Sequence, residues 1–186
     1  MRPKATLPPG PRPRPLLDAR PFVLPVILLG VGLGGLADGI LFHQVLGWHH
    51  LASAIEPPVT LDALELNTRL DGWFHVAAWL VTLAGAALLF RAAGITRARP
   101  PRGLFAGGIL AGWALFNLVE GTVNHLLLRL HHVREGADAG LYDAAFLLVS
   151  AAVFVGASAV LRRAVRAGDP GALPGQRQAP TESGGG

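Results

Sequence analysis

The sequence predicts an all-α protein: a four-helix transmembrane bundle built from two parallel helix-hairpin repeats, with the N- and C-termini cytoplasmic. Three observations predict it. Of the 186 residues, 51% are hydrophobic and only 15% charged, against about 25% charged in soluble domains. Four apolar runs, 22–48, 72–90, 103–128 and 144–161, approach or exceed the ~20 residues that cross ~30 Å of hydrocarbon. Thirteen of the sixteen basic residues fall on one side if four helices alternate, and the positive-inside rule makes that side cytoplasmic.

The elements follow in chain order. Residues 1–20 carry Arg2, Lys4, Arg12, Arg14 and Arg20 among many prolines and read as a disordered basic tail. The first run is too long for a signal peptide and lacks a small-residue cleavage site, so it is expected to stay as an anchor. Pro25 stands near its start, where a missing amide costs little. The second run follows Asp71, and the connection after it carries Arg91, Arg97, Arg99 and Arg102. The third and fourth runs repeat the pattern, ending in Arg162, Arg163 and Arg166. The transmembrane domain is placed at 21–167, with repeats at about 22–90 and 104–165, and 168–186 reads as a second disordered tail. Nine of the twelve acids lie within the membrane or on the face opposite the arginines.

Composition excludes several chemistries. Cysteine is absent and Met1 is the one methionine, which rules out disulfide scaffolds, thiolate zinc sites, Fe–S ligation and Cys/Met copper(I) transfer. Any metal must use nitrogen and oxygen. The pI of 10.9 follows from the asymmetric arginines, so it is a topology signal and not a nucleic-acid footprint. The expected partner is the lipid bilayer of the inner (cytoplasmic) membrane, with a protein partner or homo-oligomer left open.

Sliding the chain against itself by 82 positions aligns 27–50 with 109–132 and gives ten identities, among them Gly30/Gly112, Gly39/Gly121, His43/His125, His49/His131 and His50/His132. Asp38 falls opposite Glu120, so the shared pattern is [Asp/Glu]-Gly-x3-His-x5-His-His. Matching leucines mean little in a membrane sequence, whereas matching histidines point to a duplicated polar unit. The halves are read as a parallel repeat about an axis along the membrane normal. The second helix of each half begins with an acid, Asp71 or Asp143, but His75 has Leu147 as its counterpart.

At Asp38-Gly39-Ile40, His43-Gln44, Trp48-His49-His50, Asp71-Gly72 with His75, Gly112-Trp113, Phe116 through Gly121, and His125 with His131-His132-Val133-Arg134, the chain resembles a family of small bacterial multi-pass membrane proteins of unknown function. The resemblance covers roughly 22–165. It implies topology and no particular chemistry.

All seven histidines, His43, His49, His50, His75, His125, His131 and His132, lie in these motifs and on the extracytoplasmic side of the expected topology. Ionisable groups within a membrane are costly and usually face a partner or a polar cavity. Asp38 and Glu120, about ten residues inside the outer helix ends, need a proton, a metal or another cation. Asp71 and His75 are one helical turn apart and can reach one ion, whereas His43 and His50 lie two turns apart if the helix continues. The ligands must therefore come from several helices. His43, His75 and His125 with Asp71 or a deep acid are expected at one level, with Asp143 in the equivalent place and the His-His pairs at the mouth.

Plainer readings stand beside this one. A single interfacial histidine is more often an ordinary polar contact than a ligand. The glycines of the first and third runs serve close helix contact, and Trp113 is expected to pack inside. Gly32-Leu33-Gly34-Gly35 follows no strand, so it is not a dinucleotide loop. No Ser-His-Asp arrangement stands out and no catalytic residue is assigned.

The sequence is thus read as a membrane protein whose outer-face His/carboxylate cluster binds iron, copper or zinc for redox chemistry or metal handling, with a metal-dependent oxidoreductase as the enzymatic form. The alternatives are haem held by His43 and His125 as axial ligands, a proton-coupled subunit, and a purely structural subunit.

Overall fold

The computed structural model describes residues 18–167. Residues 1–17 of the tail expected at 1–20, and the tail expected at 168–186, lie outside the described residues. Ala19 is buried and Asp18 accepts a hydrogen bond from the Arg20 amide, so the last residues assigned to the basic tail pack onto the bundle. A short 3-10 turn, Arg20–Phe22, leads into α1 (Val23–Asp38), which continues as a π-helical segment, Gly39–Val45. A loop then leads to α2 (Leu61–Thr96). α3 (Arg102–Glu120) also runs into a π-helical segment, Gly121–Leu127, and α4 (Ala139–Ala167) completes the fold. All four helical spans are long and apolar enough to cross a membrane, and there is no strand among the described residues.

Local signals set the helix ends. Thr60 caps α2, its side chain accepting from the Ala63 amide, with Asp62 in the positive first turn. α2 ends where Arg97 turns left-handed, and the Pro100-Pro101 pair that follows can begin α3 but not extend α2.

α1 and α3 form the centre, with α2 packed on α1 and α4 on α3. Glycine makes the central crossing close. A Cβ on Gly30 would sit 2.2 Å from the Ile109 carbonyl oxygen, and one on Gly112 would sit 2.1 Å from that of Ile27. The two contacts are reciprocal, since Gly30/Gly112 and Ile27/Ile109 are both pairs of the 82-residue alignment. In a bilayer, where apolar side chains gain nothing by leaving lipid, such backbone approach and polar contacts hold helices together.

The rest of the packing inverts that of a soluble bundle. Apart from an apolar cluster of Phe22, Val26, Leu104 and Leu161, many buried positions are small or polar, as with Ala78, Ala111, Ala114, Asn67 and Ser150, while Trp73, Phe90, Leu148 and Val155 face outward. Trp113 departs from its expected inward place and is 39% exposed. Its neighbours on α3, Gly108, Ala111 and Gly112, take the buried face, so the indole is left on the lipid side.

Candidate metal centre

The π-helical segments place the deep acids. In an α-helix, residues three and four apart are neighbours and residues five apart are not. The i→i+5 hydrogen bonding of a π-helix brings residues five apart onto one side. Both segments begin immediately after an acid, so Asp38 meets His43, Nε2 to Oδ2 at 3.5 Å, and Glu120 meets His125, Nε2 to Oε1 at 3.1 Å.

Each segment then ends in the same way. Leu46 and Trp48 donate to the carbonyls of Leu41 and Phe42, and Leu128 and Leu130 to those of Val123 and Asn124. Gly47 at φ +56° and Arg129 at φ +52° hold the left-handed conformation that reverses the chain. The helix therefore does not continue to the His-His pair. His49 comes back to lie 4.6 Å from His43, and His131 to lie 4.8 Å from His125, centroid to centroid.

The two loops lock together across the centre. His49 Nδ1 donates to the Val133 carbonyl at 2.8 Å and His131 Nδ1 to the Leu51 carbonyl at 3.0 Å. Their rings stack at 4.4 Å, 10° from parallel. The Ala54 amide donates to Leu130 O, and Ser53 donates to Glu135. Asn67, buried on α2, takes the Ala52 amide and donates to Glu56 O, which fixes the first loop.

Asp71 and Asp143 support the outer side. Asp71 Oδ1 accepts from His43 Nδ1 at 2.8 Å and from the Leu51 amide at 2.9 Å, while Oδ2 accepts from His50 Nδ1 at 2.7 Å. Asp143 repeats this: Oδ1 accepts from the Val133 amide at 2.9 Å and lies 3.2 Å from His125 Nδ1, and Oδ2 accepts from His132 Nδ1 at 2.6 Å. His50 and His132 line a cavity of about 510 Å³ with Trp48, His49 and Glu135, so each aspartate connects a buried imidazole to one at the surface.

Backbone carbonyls only accept, so His49 and His131 must carry a proton on Nδ1 and, when neutral, present a bare lone pair at Nε2. Burial, followed by the neighbouring His131 and His43 rings, pushes the His49 pKa down to about 3. Its Nε2 is buried and has no hydrogen-bond partner, and the same holds for Glu120 Oε2, while His43 Nε2 and His125 Nε2 have only their carboxylate contacts, which lack hydrogen-bond geometry. Orphaned buried polar atoms are costly, and here they are concentrated in one place. The ligand atoms of His43, His49 and His131 lie within 4.8 Å of one another, as do those of Glu120, His125 and His131.

The residues singled out in the sequence thus separate into two groups. His43, His49, His125, His131, Asp38 and Glu120 converge at the centre, each at most 7% exposed. Asp71, Asp143, His50 and His132 stand outside, touching the central histidines or their supports. His75 does not join either group: its Nδ1 is 2.7 Å from the Asp71 carbonyl of its own helix, and its Nε2 faces Gly39, where a Cβ would come within 2.5 Å. At Gly121 the same place is taken by Leu147. The inward position of the first histidine in each pair differs from the expected mouth position, because the helix stops before it. The carbonyls of Leu51 and Val133 carry no side-chain signal, and their part could not be read from sequence.

Residues 25–164 match the family described as Predicted membrane protein (DUF2243). The chain belongs to that family. The match spans all four helices and both histidine motifs, in agreement with the resemblance noted from the sequence. No curated protein and no solved structure matches the chain.

Proposed function

We propose that this membrane protein holds a dinuclear transition-metal centre, with His43, His49, His125 and His131 coordinating through Nε2 together with Asp38 and Glu120. The observation that carries this reading is the buried, partnerless Nε2 of His49, whose proton is committed to Nδ1 by the Val133 carbonyl. A lone pair surrounded by imidazoles and carboxylates needs a cation. Metal-bound histidines commonly donate their other ring N–H to a carboxylate or carbonyl, which fixes the tautomer and raises basicity. Asp71, Val133 and Leu51 receive that bond here, and Asp143 stands beside the fourth ring.

Charge supports two ions. Asp38, Asp71, Glu120 and Asp143 are all buried, and when ionised their formal charge equals and opposes that of two divalent cations. The Glu120, His125 and His131 group is a two-histidine, one-carboxylate set, which suits iron(II) with open positions. Iron is therefore the first candidate, ahead of copper and zinc, and the open positions favour redox chemistry over storage. The haem alternative has less support, since the stacked His49 and His131 rings fill the space between His43 and His125. The arginine distribution further supports an inner-membrane protein with this centre toward the extracytoplasmic face.

The test is elemental analysis with optical and electron paramagnetic spectra of detergent-purified protein prepared without chelator or histidine tag. About two metal ions per chain are expected, falling below about half when His49 or His131 is replaced by Ala. Absence of stoichiometric metal after growth with each of iron, copper and zinc would discard the proposal.

A further inference from the structure

We propose that the groove beside Glu120 binds a membrane-dissolved hydroquinone, its ring against Phe74 and Phe116 and one hydroxyl donating to the Glu120 carboxylate. The groove, about 380 Å³, is lined by Val31, Phe74, Phe116, Val119, Glu120 and Asn124, with Leu115 and Val123 beside them. It opens within the membrane-crossing span Arg102–Leu127, where Val119 is 55% exposed. A molecule reaching it must therefore come from the bilayer and present mostly apolar surface.

The polar residues of its lining select something other than an acyl chain. Glu120 Oε1 faces the histidines, 2.9 Å from His131 Nε2 and 3.1 Å from His125 Nε2, whereas Oε2 is buried without a partner. A carboxylate oxygen in that state calls for a hydrogen-bond donor, which a hydrocarbon tail does not have. Asn124 beside it offers an amide that can donate or accept, its Nδ2 lying 3.4 Å from Oε1. Phe74 and Phe116, packed on one another with centroids 6.1 Å apart, form an aromatic wall against which a flat ring can lie. A hydroquinone has all three properties: donor hydroxyls, a flat ring and an apolar tail.

The lining of the groove is not repeated in the other half. In the 82-residue alignment, Val31 corresponds to Trp113 and Asn124 to Phe42. Phe42 packs 5.5 Å from Trp48 and 6.4 Å from Phe146, which fills with aromatic rings the place where the groove has an amide. The groove's amide is thus particular to the half whose acid is Glu120. The inference rests on the metal-centre reading for its purpose, since Glu120 is among the residues that would hold the metal, but the binding itself is measured separately.

The experiment uses the full chain in phosphatidylcholine nanodiscs under argon. Decyl hydroquinone binding is followed by equilibrium dialysis, with 1-decanol as a tail-only competitor and metal content measured on every sample. One saturable site is expected. Val119→Trp, which fills the groove, and Asn124→Leu, which removes its polar end, should each weaken binding by at least about tenfold while leaving metal content unchanged. The proposal is overturned by the absence of saturable binding to the wild-type protein, by undiminished binding to Val119→Trp, or by equally effective displacement with 1-decanol, which would identify an acyl-chain groove. Metal-loaded protein that binds no hydroquinone sinks this inference alone, whereas metal-free protein that binds it sustains the groove and removes the metal centre.

Discussion

Replacing Asp71 separates charge from hydrogen bonding in the proposed centre. Its Oδ1 serves His43 and the Leu51 amide, while Oδ2 serves His50. In Asp71→Asn the amide oxygen can keep the Oδ1 contacts, and the NH2 group then faces His50. That ring borders the surface cavity, so it can move its proton to Nε2 and accept instead. The His43 orientation survives and only the negative charge behind it is lost. Asp71→Leu removes every acceptor, leaving the buried His43 Nδ1–H and the Leu51 amide unpaired at about 1–3 kcal/mol each. Changes to such supporting groups cost about 10–100-fold in metal affinity. The Asn variant should therefore fall near the lower bound, about 1.4 kcal/mol, and the Leu variant at or beyond the upper. Asp143→Asn and Asp143→Leu should give the same order, because Asp143 has the same three neighbours in the other half. Competition against a calibrated chelator, with metal read by mass spectrometry and helicity by circular dichroism, measures the series. Wild-type affinity in a folded Asp71→Leu protein would refute the argument, and so would an Asn variant as impaired as the Leu variant.

Three further outcomes are expected. Gly30→Ala and Gly112→Ala force a methyl to within about 2 Å of a facing carbonyl oxygen, so each should lower the melting temperature sharply or prevent accumulation, whereas Gly94→Ala, with nothing within 4 Å, should be neutral or stabilising by up to about 1 kcal/mol in thermal melts. Gly47→Ala should destabilise by about 1 kcal/mol, since its φ is +56°, while Arg129→Gly, at φ +52°, should be neutral or mildly stabilising in the same melts. Single cysteines introduced in 55–59 or 135–138 should react with an impermeant thiol reagent outside intact cells, and cysteines in 97–101 should not; reversed labelling would place the centre on the cytoplasmic side.

Much of this protein is set by sequence at the level of pattern. Helix number and approximate extent follow from hydropathy, because a bilayer requires about twenty apolar residues whatever they pack against. The 82-residue alignment paired His43 with His125, His49 with His131 and Asp38 with Glu120, and the same pairs occupy corresponding places in the structure. His75, expected beside His43 and His125, instead turns to the Asp71 carbonyl of its own helix, and the repeat had given it no histidine counterpart, since Leu147 stands in the equivalent place.

What tertiary structure decided was which histidines face inward. A continuous α-helix would separate His43 from His49 and would not align Asp38 with His43. The π-helical turns and the left-handed Gly47 and Arg129 bring both back. Neither follows from periodicity, because π-winding has no composition of its own and Arg129 is not a residue that announces a left-handed turn. The tautomers of His49 and His131 depend on the carbonyls of Val133 and Leu51, which come from the opposite loop. A backbone carbonyl is the same group at every residue, so only the folded chain determines which of them meets an imidazole.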